Sequence, residues 1–214
     1  MRWLAYDVEA GHPNFSQLVR CDVCGTDQQQ TYLAKLSGLS GEMLRWTLDT
    51  TTRTPGNAGA YDAINSLVDK PSWFITLHGT NGVGKTRLLT ALVNAGRRQG
   101  WKSVYMTTAG LLDHLRSAYA PGRSSVTFDG VWDKIVTAKI LVMDEVDRWS
   151  ATAWAQEKFF ELIDHRYRSG LTLLTGFATN NTIEDMPPYL SSRIQDHRCQ
   201  IHEITGQDMR RVRV

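Results

Sequence analysis

Eight consecutive residues, Gly79-Thr80-Asn81-Gly82-Val83-Gly84-Lys85-Thr86, carry the spacing G-x-x-x-x-G-K-[ST]. Each residue type has a chemical reason to be there. The glycines let the backbone turn tightly enough for successive N–H groups to converge on phosphate oxygens. A helix opening after such a turn adds its unpaired N-terminal donors and the positive end of its dipole. The Lys85 ammonium reaches the terminal phosphates, and the Thr86 hydroxyl is the kind of oxygen that joins a magnesium shell. A second site decides the kind of phosphate chemistry. Ile140-Leu141-Val142-Met143-Asp144-Glu145 places two adjacent carboxylates where an apolar run ends. Asp144 is the candidate magnesium ligand beside Thr86. Glu145, pointing the other way along an extended chain, is the candidate for polarising a water aimed at the γ-phosphate. GTP-hydrolysing proteins lack that neighbouring Glu and carry base-reading motifs not found in this sequence. The pair therefore predicts an ATP site that yields ADP and phosphate.

Such residues need a sheet to hold them. Residues 74–78 read as a strand leading into the loop, and residues 86–98 as a helix leaving it, ended by Gly100. Residues 103–107 form a second strand and 109–119 a helix closed by Pro121-Gly122. Residues 140–143 have the fully apolar pattern of a buried strand, and 152–168 a long helix stopped by Gly170. A fourth strand is expected over 171–175, running on toward Thr179, and a fifth over 199–204. Strands alternating with crossover helices predict an α/β fold, a P-loop NTPase core with a parallel five-stranded sheet flanked by helices. Ahead of it, Ala60, Ala63, Ile64, Leu67 and Val68 fall on one helical face. Residues 28–36 also read as a helix. The polar, Gly- and Pro-bearing residues 50–59 read as a linker, dividing an N-terminal segment (1–55) from an ATPase domain (56–214).

Composition bounds the rest. The chain has 214 residues, 42% of them hydrophobic, enough for one globular domain with a full core. No apolar run approaches the roughly 18 residues of a membrane helix, and the first residues lack the apolar stretch of a secretory signal. Three cysteines do not make a disulfide framework, so a reducing cytoplasm is expected, with no membrane partner. The net charge is +2, distributed as −2 over residues 1–70 and +4 over 71–214. That mild basicity is compatible with a polyanion partner and equally with ordinary solvated surface.

These residues resemble the AAA+ ATPases, most closely the DnaC/DnaI-type replicative helicase loaders and their relatives, the IstB-type transposition ATPases. The resemblance covers roughly residues 60–210. It rests on the P-loop, Asp144-Glu145, Trp154-Ala155-Gln156-Glu157, Leu162-Ile163-Asp164-His165-Arg166-Tyr167 and Ala178-Thr179-Asn180-Asn181. It implies that Asn180 is a sensor touching the attacking water or the γ-phosphate. Leu190-Ser191-Ser192-Arg193-Ile194 resembles the segment whose Arg enters a neighbour's ATP site, so Arg193 is the implied arginine finger, with Arg198 the alternative. Only 21 residues follow Arg193, too few for the helical lid of most AAA+ proteins, so the lid is expected to be absent or truncated. Arg210, in Asp208-Met209-Arg210-Arg211, stands where such loaders place a late arginine.

The resemblance also implies head-to-tail assembly into a ring or spiral, single-stranded DNA inside it, and a hexameric replicative helicase as partner. Tyr105, Arg116, Tyr119, Arg123 and Lys139 combine cations with stacking faces and are the candidate DNA contacts. Gly11-His12-Pro13 with Cys21-Asp22-Val23-Cys24 looks like half of a zinc ribbon. Cys21, Cys24 and His12 would be zinc ligands, although a closed site needs four; two free thiols in a turn is the other reading. Two further functions stay open: a transposition ATPase that binds duplex DNA and a transposase, and an ATP-gated assembly adaptor with negligible turnover.

Overall fold

The computed structural model describes residues 3–5, 18–20, 37–119, 128–148 and 152–210. Two short strands, β1 (Trp3–Ala5) and β2 (Leu18–Arg20), pair antiparallel, Trp3 opposite Arg20. After a 3-10 turn at Gly41–Arg45 comes helix α1 (Ala58–Asp69), which buries Ala60, Ile64 and Leu67 as its periodicity predicts. The core then alternates: β3 (Trp73–His78), α2 (Lys85–Arg98), β4 (Ser103–Thr107), α3 (Thr108–Tyr119), α4 (Phe128–Val136), β5 (Ile140–Asp144), α5 (Ala153–Arg168), β6 (Leu174–Thr179), α6 (Pro188–Ile194) and β7 (Gln200–Glu203). The five core strands form one parallel sheet in the order β4-β5-β6-β3-β7.

Both faces of the sheet are covered, which explains the unbroken apolar runs of its central strands. All five residues of β5 are buried. One core joins Val104, Met106, Leu141, Met143 and Phe177 to α3, α4 and α5. The other joins Ile75, Leu77, Tyr105 and Val142 to α1 and α2. Helix α2 lies close on the sheet because Gly96 has no side chain there; a Cβ would stand 2.5 Å from Ser103 Oγ and 2.6 Å from Ile140 Cδ1.

The expected elements differ from the observed ones in instructive places. Strand β6 starts at Leu174 rather than Leu171, because residues 169–173 close the end of α5 as a turn. Thr172 N and Leu173 N both donate to Ser169 O, at 3.0 Å each, and Leu171 projects into solvent. Helix α4 went unassigned in the sequence, where Gly130 and β-branched residues dilute its helical signal, yet Val131, Ile135 and Val136 bury one face of it. Residues 50–59, read as a linker, are packed. Thr51 and Asn57 are buried, Asn57 Nδ2 donates to Thr52 O (2.9 Å), and Arg87 on α2 donates to Thr50 O (2.6 Å). Among the described residues no helical lid follows the core. Residues 204–210 instead fold back on the loop between β3 and α2, with Ile204 N donating to His78 O (2.8 Å) and Met209 N to Gly82 O (3.0 Å).

Candidate nucleotide site

The β3–α2 loop is held in a shape that only glycine adopts without strain, at Gly79, Gly82 and Gly84. Gly79 has φ 139° and a Cβ there would lie 2.2 Å from Ile204 O; Gly82 has φ 79° and faces the Asp208 carboxylate. The first intrahelical bond of α2 runs from Leu88 N to Gly84 O (3.1 Å), so the N–H groups of Lys85, Thr86 and Arg87 precede it and stay available to an anion. Lys85 is buried. Its Nζ donates to Gly79 O and Thr80 O, both at 2.7 Å, and to Asn180 Oδ1 at 3.0 Å. Burial pulls this ammonium down from its ordinary value, while Asp144 and Asp147 oppose the shift.

Strand β5 delivers Asp144, also buried, to the other side of Thr86. Thr86 Oγ1 donates to Asp144 Oδ2 at 2.7 Å, and the Glu145 N–H donates to Oδ1 at 2.8 Å. The next residue leaves the sheet abruptly: Glu145 has φ 53°, a left-handed conformation that costs a non-glycine residue about 1–2 kcal/mol. The turn is held by Val146 N on Ala178 O (3.1 Å) and Arg148 N on Glu145 O (2.9 Å). It leaves the Glu145 side chain half exposed on the cavity wall, 3.8 Å from Arg148. Asn180, at the end of β6, is fixed by Asp147, whose carboxylate accepts from Asn180 Nδ2 (3.3 Å) and its N–H (3.4 Å). Thr86 and Asp144 offer the hard oxygen donors that magnesium takes, so the residues present fit that ion.

Most of these groups border one cavity of about 550 Å³, although Gly79, Thr80 and Asp147 do not line it. It takes in residues 81–87, Asp144, Glu145, Asn180 and Arg210, with Trp46, Thr50–Thr52 and Asn57 on the opposite wall. The structure thus brings together the loop, both β5 carboxylates, Asn180 and Arg210. Three features escaped the sequence reading. Asp147 carried a faint signal, a third carboxylate just past the strand end. The Trp46 wall had none, because only the packed fold carries residues 42–57 to α2; there the Arg87 guanidinium lies 5.2 Å from the centre of the Trp46 ring. The third is Tyr105.

Comparison with known proteins bears on the same residues. The model of the family described as IstB-like ATP binding protein matches residues 65–213. The chain belongs to the IstB-like ATP-binding protein family. A protein of insertion sequence IS1162 from Pseudomonas fluorescens, assigned as ATP-binding, is 31% identical over 108 residues, 50% of this chain and 45% of that one. The chain thus spans under half the length of that relative. The fold is shared with the solved structures of DnaI (TM-score 0.63, 21% identical, 85% of this chain and 98% of that one) and the DnaC helicase loader (0.61, 20%, 78% and 100%). It is shared as well with the replication initiator DnaA bound to AMPPCP and single-stranded DNA (0.67, 21%, 76% and 50%). The parallel five-stranded α/β core expected from the sequence is therefore present.

Other residues singled out in the sequence do not line this cavity. Arg193 on α6 donates to Asp164 Oδ1 (2.7 Å) and Tyr189 O (2.9 Å), and lies over the rings of Phe160 and Tyr167. Arg198 is held by Asp196 (2.7 and 2.8 Å) and by Tyr167 Oη (2.8 Å), 4.1 Å from the centre of the Trp73 ring. Tyr105 is not a surface DNA contact. Alternation along β4 sends Val104 and Met106 to one core and Tyr105 to the other, where it is 5% exposed and donates to Asp144 Oδ2 at 2.6 Å. Burial and then the Asp144 carboxylate push its phenol up, so it remains a donor. Arg116 is exposed, paired with Asp113 and stacked on Trp154. Lys139 precedes β5, at the sheet end opposite the cavity, and donates to Thr172 O. Arg123, the side chain of Tyr119, the 28–36 helix and the zinc candidates His12, Cys21 and Cys24 lie outside the described residues. No helix among the described residues is long and apolar enough to cross a membrane.

Proposed function

We propose that this protein hydrolyses ATP and uses the ATP-bound state to assemble head-to-tail on single-stranded DNA and deliver or remodel a hexameric replicative helicase. The observation that carries the ATPase reading is the Lys85–Asn180 bond, which closes the loop, the β5 carboxylates and the β6 sensor around one cavity. Lys85 rests on neutral oxygens only. Exchanging one of them for a phosphate oxygen replaces a contact between an ion and a dipole by an ion pair at hydrogen-bond distance. Thr86 and Asp144 would hold magnesium, whose charge would offset that of the phosphate oxygens. Glu145, aimed off the strand by its left-handed turn, orients and deprotonates water, and Asn180 holds that water against the γ-phosphate. Arg210 contacts the nucleotide in the same chain.

Arg193 supplies the remaining cation to a neighbour's site once it leaves Asp164. Asp164 keeps a partner in that event, because Arg168 already lies 2.5 Å from its other oxygen. Phosphate release should be magnesium-dependent, rise with protein concentration and rise further on single-stranded DNA. Turnover that is independent of concentration and of DNA would overturn the assembly reading.

The loader reading is supported by fold matches that span 98–100% of the DnaI and DnaC structures. The family match and the insertion-sequence relative favour a second reading, a transposition ATPase on duplex DNA with a transposase. ATP-dependent binding to single-stranded over duplex DNA of equal length separates them. The N-terminal segment (1–55) is proposed to grip the partner. Because residues 37–55 pack on the ATPase body, a variant lacking 1–36 is the one to test; it should keep nucleotide binding and lose helicase binding.

A further inference from the structure

Asp144 is unusually well held. Its carboxylate is 4% exposed and accepts three hydrogen bonds, from Thr86 Oγ1 and Tyr105 Oη on one oxygen and from the Glu145 N–H on the other. Thr86 is itself a candidate ligand, so the Tyr105 hydroxyl is the side-chain donor left to keep the carboxylate oriented. The Tyr105 ring lies in the core beside α2 and acts on the site only through Asp144.

What fixes Tyr105 is equally specific. Strand β4 is the outermost strand on its side of the sheet, and an edge strand offers unpaired backbone groups. Those of Tyr105 are taken by the chain just before the 3-10 turn. The Ser37 hydroxyl donates to Tyr105 O (3.0 Å) and accepts from Tyr105 N (3.1 Å), while Gly38 N donates to the same carbonyl (2.9 Å). Ser37 is buried, and 68 residues separate it from Tyr105. We propose that Tyr105 is a positioning residue for the Asp144 carboxylate and that Ser37 and Gly38 clamp it, tying residues 37 and 38 to the magnesium end of the site. This rests on the ATP reading above.

The test is magnesium titration of a fluorescent ADP analogue on the full chain, read by anisotropy, with affinity in EDTA and metal-free melting measured alongside. Loss of a hydrogen bond behind a metal ligand typically costs at least about 10-fold in metal affinity. Tyr105→Phe should therefore raise half-saturating magnesium about tenfold and leave EDTA affinity unchanged, with metal-free melting lowered only modestly by the lost hydrogen bond. Ser37→Ala should shift it in the same direction by less. Unchanged magnesium dependence in Tyr105→Phe, or equal losses with and without the metal, would overturn the positioning role. A shift in Tyr105→Phe with none in Ser37→Ala would keep that role and overturn the clamp. Wild-type protein that binds no nucleotide under either condition would overturn the ATP reading itself, a distinct result.

Discussion

The cations at the two ends of this molecule are held in opposite ways. At the cavity, Lys85 is buried against two backbone carbonyls and an amide oxygen, all neutral and all replaceable by phosphate. On the α5–α6 flank, Arg193 and Arg198 each hold a carboxylate, Asp164 and Asp196, and lie on aromatic rings. The arrangement lowers the Asp164 and Asp196 carboxyls below their ordinary values, through the arginine hydrogen bonds first of all. Arg166, fully buried against the start of β6, bonds five oxygens, among them the carbonyls of Ile135, Val136 and Ala138 at the end of α4. A cation kept on neutral oxygens is ready for an incoming anion. One already paired must give something up before it can act elsewhere, and Arg193 is such a cation. Its Nε, buried without a partner, marks its cage as incompletely satisfied.

The comparison breaks most visibly at Arg193. Arg193→Ala should hydrolyse ATP about 10³-fold more slowly with nucleotide affinity intact. Mixing it with Lys85→Ala should restore turnover, because Lys85→Ala chains still carry Arg193 to the mutant's working sites. Loss of melting temperature without loss of turnover would instead make Arg193 a purely structural cation. Glu145→Gln should keep ATP binding and lose about 10² or more in turnover, as single-turnover assays would show; unchanged turnover removes Glu145 from catalysis. Arg166→Ala should lower unfolding free energy by about 3 kcal/mol in urea titrations while leaving nucleotide affinity alone, since its partners are four carbonyls and the Thr175 hydroxyl of the scaffold. The smallest effect is the most discriminating. Asp164→Asn loosens the Arg193 cage and should raise turnover a few-fold at low protein concentration, where neighbours are scarce; a decrease would show that Asp164 is needed to present the arginine.

The nucleotide end was legible in the sequence wherever its chemistry is local. The loop, Asp144-Glu145 and the strands that carry them follow from residue type, spacing and apolar runs; Asn180 and Arg210, named only through the family resemblance, border the same cavity. What failed to show depends on contacts between distant segments. Tyr105 reads as a stacking residue until the pairing of β4 with β5 sets it beside Asp144, 39 residues away. Residues 50–59 read as a linker because they are polar, yet that polarity is used on Arg87 and within the segment itself. The partners of Arg193 on α5 were visible as residues but not as neighbours.

The central claim is that Lys85 awaits the phosphates of ATP. Calorimetric titration of ATP with magnesium into wild type and Lys85→Ala, at matched folding by circular dichroism, tests it most directly. The account predicts saturable binding by the wild type, about one nucleotide per chain, and none measurable for Lys85→Ala. Equal affinity in the two proteins would contradict it.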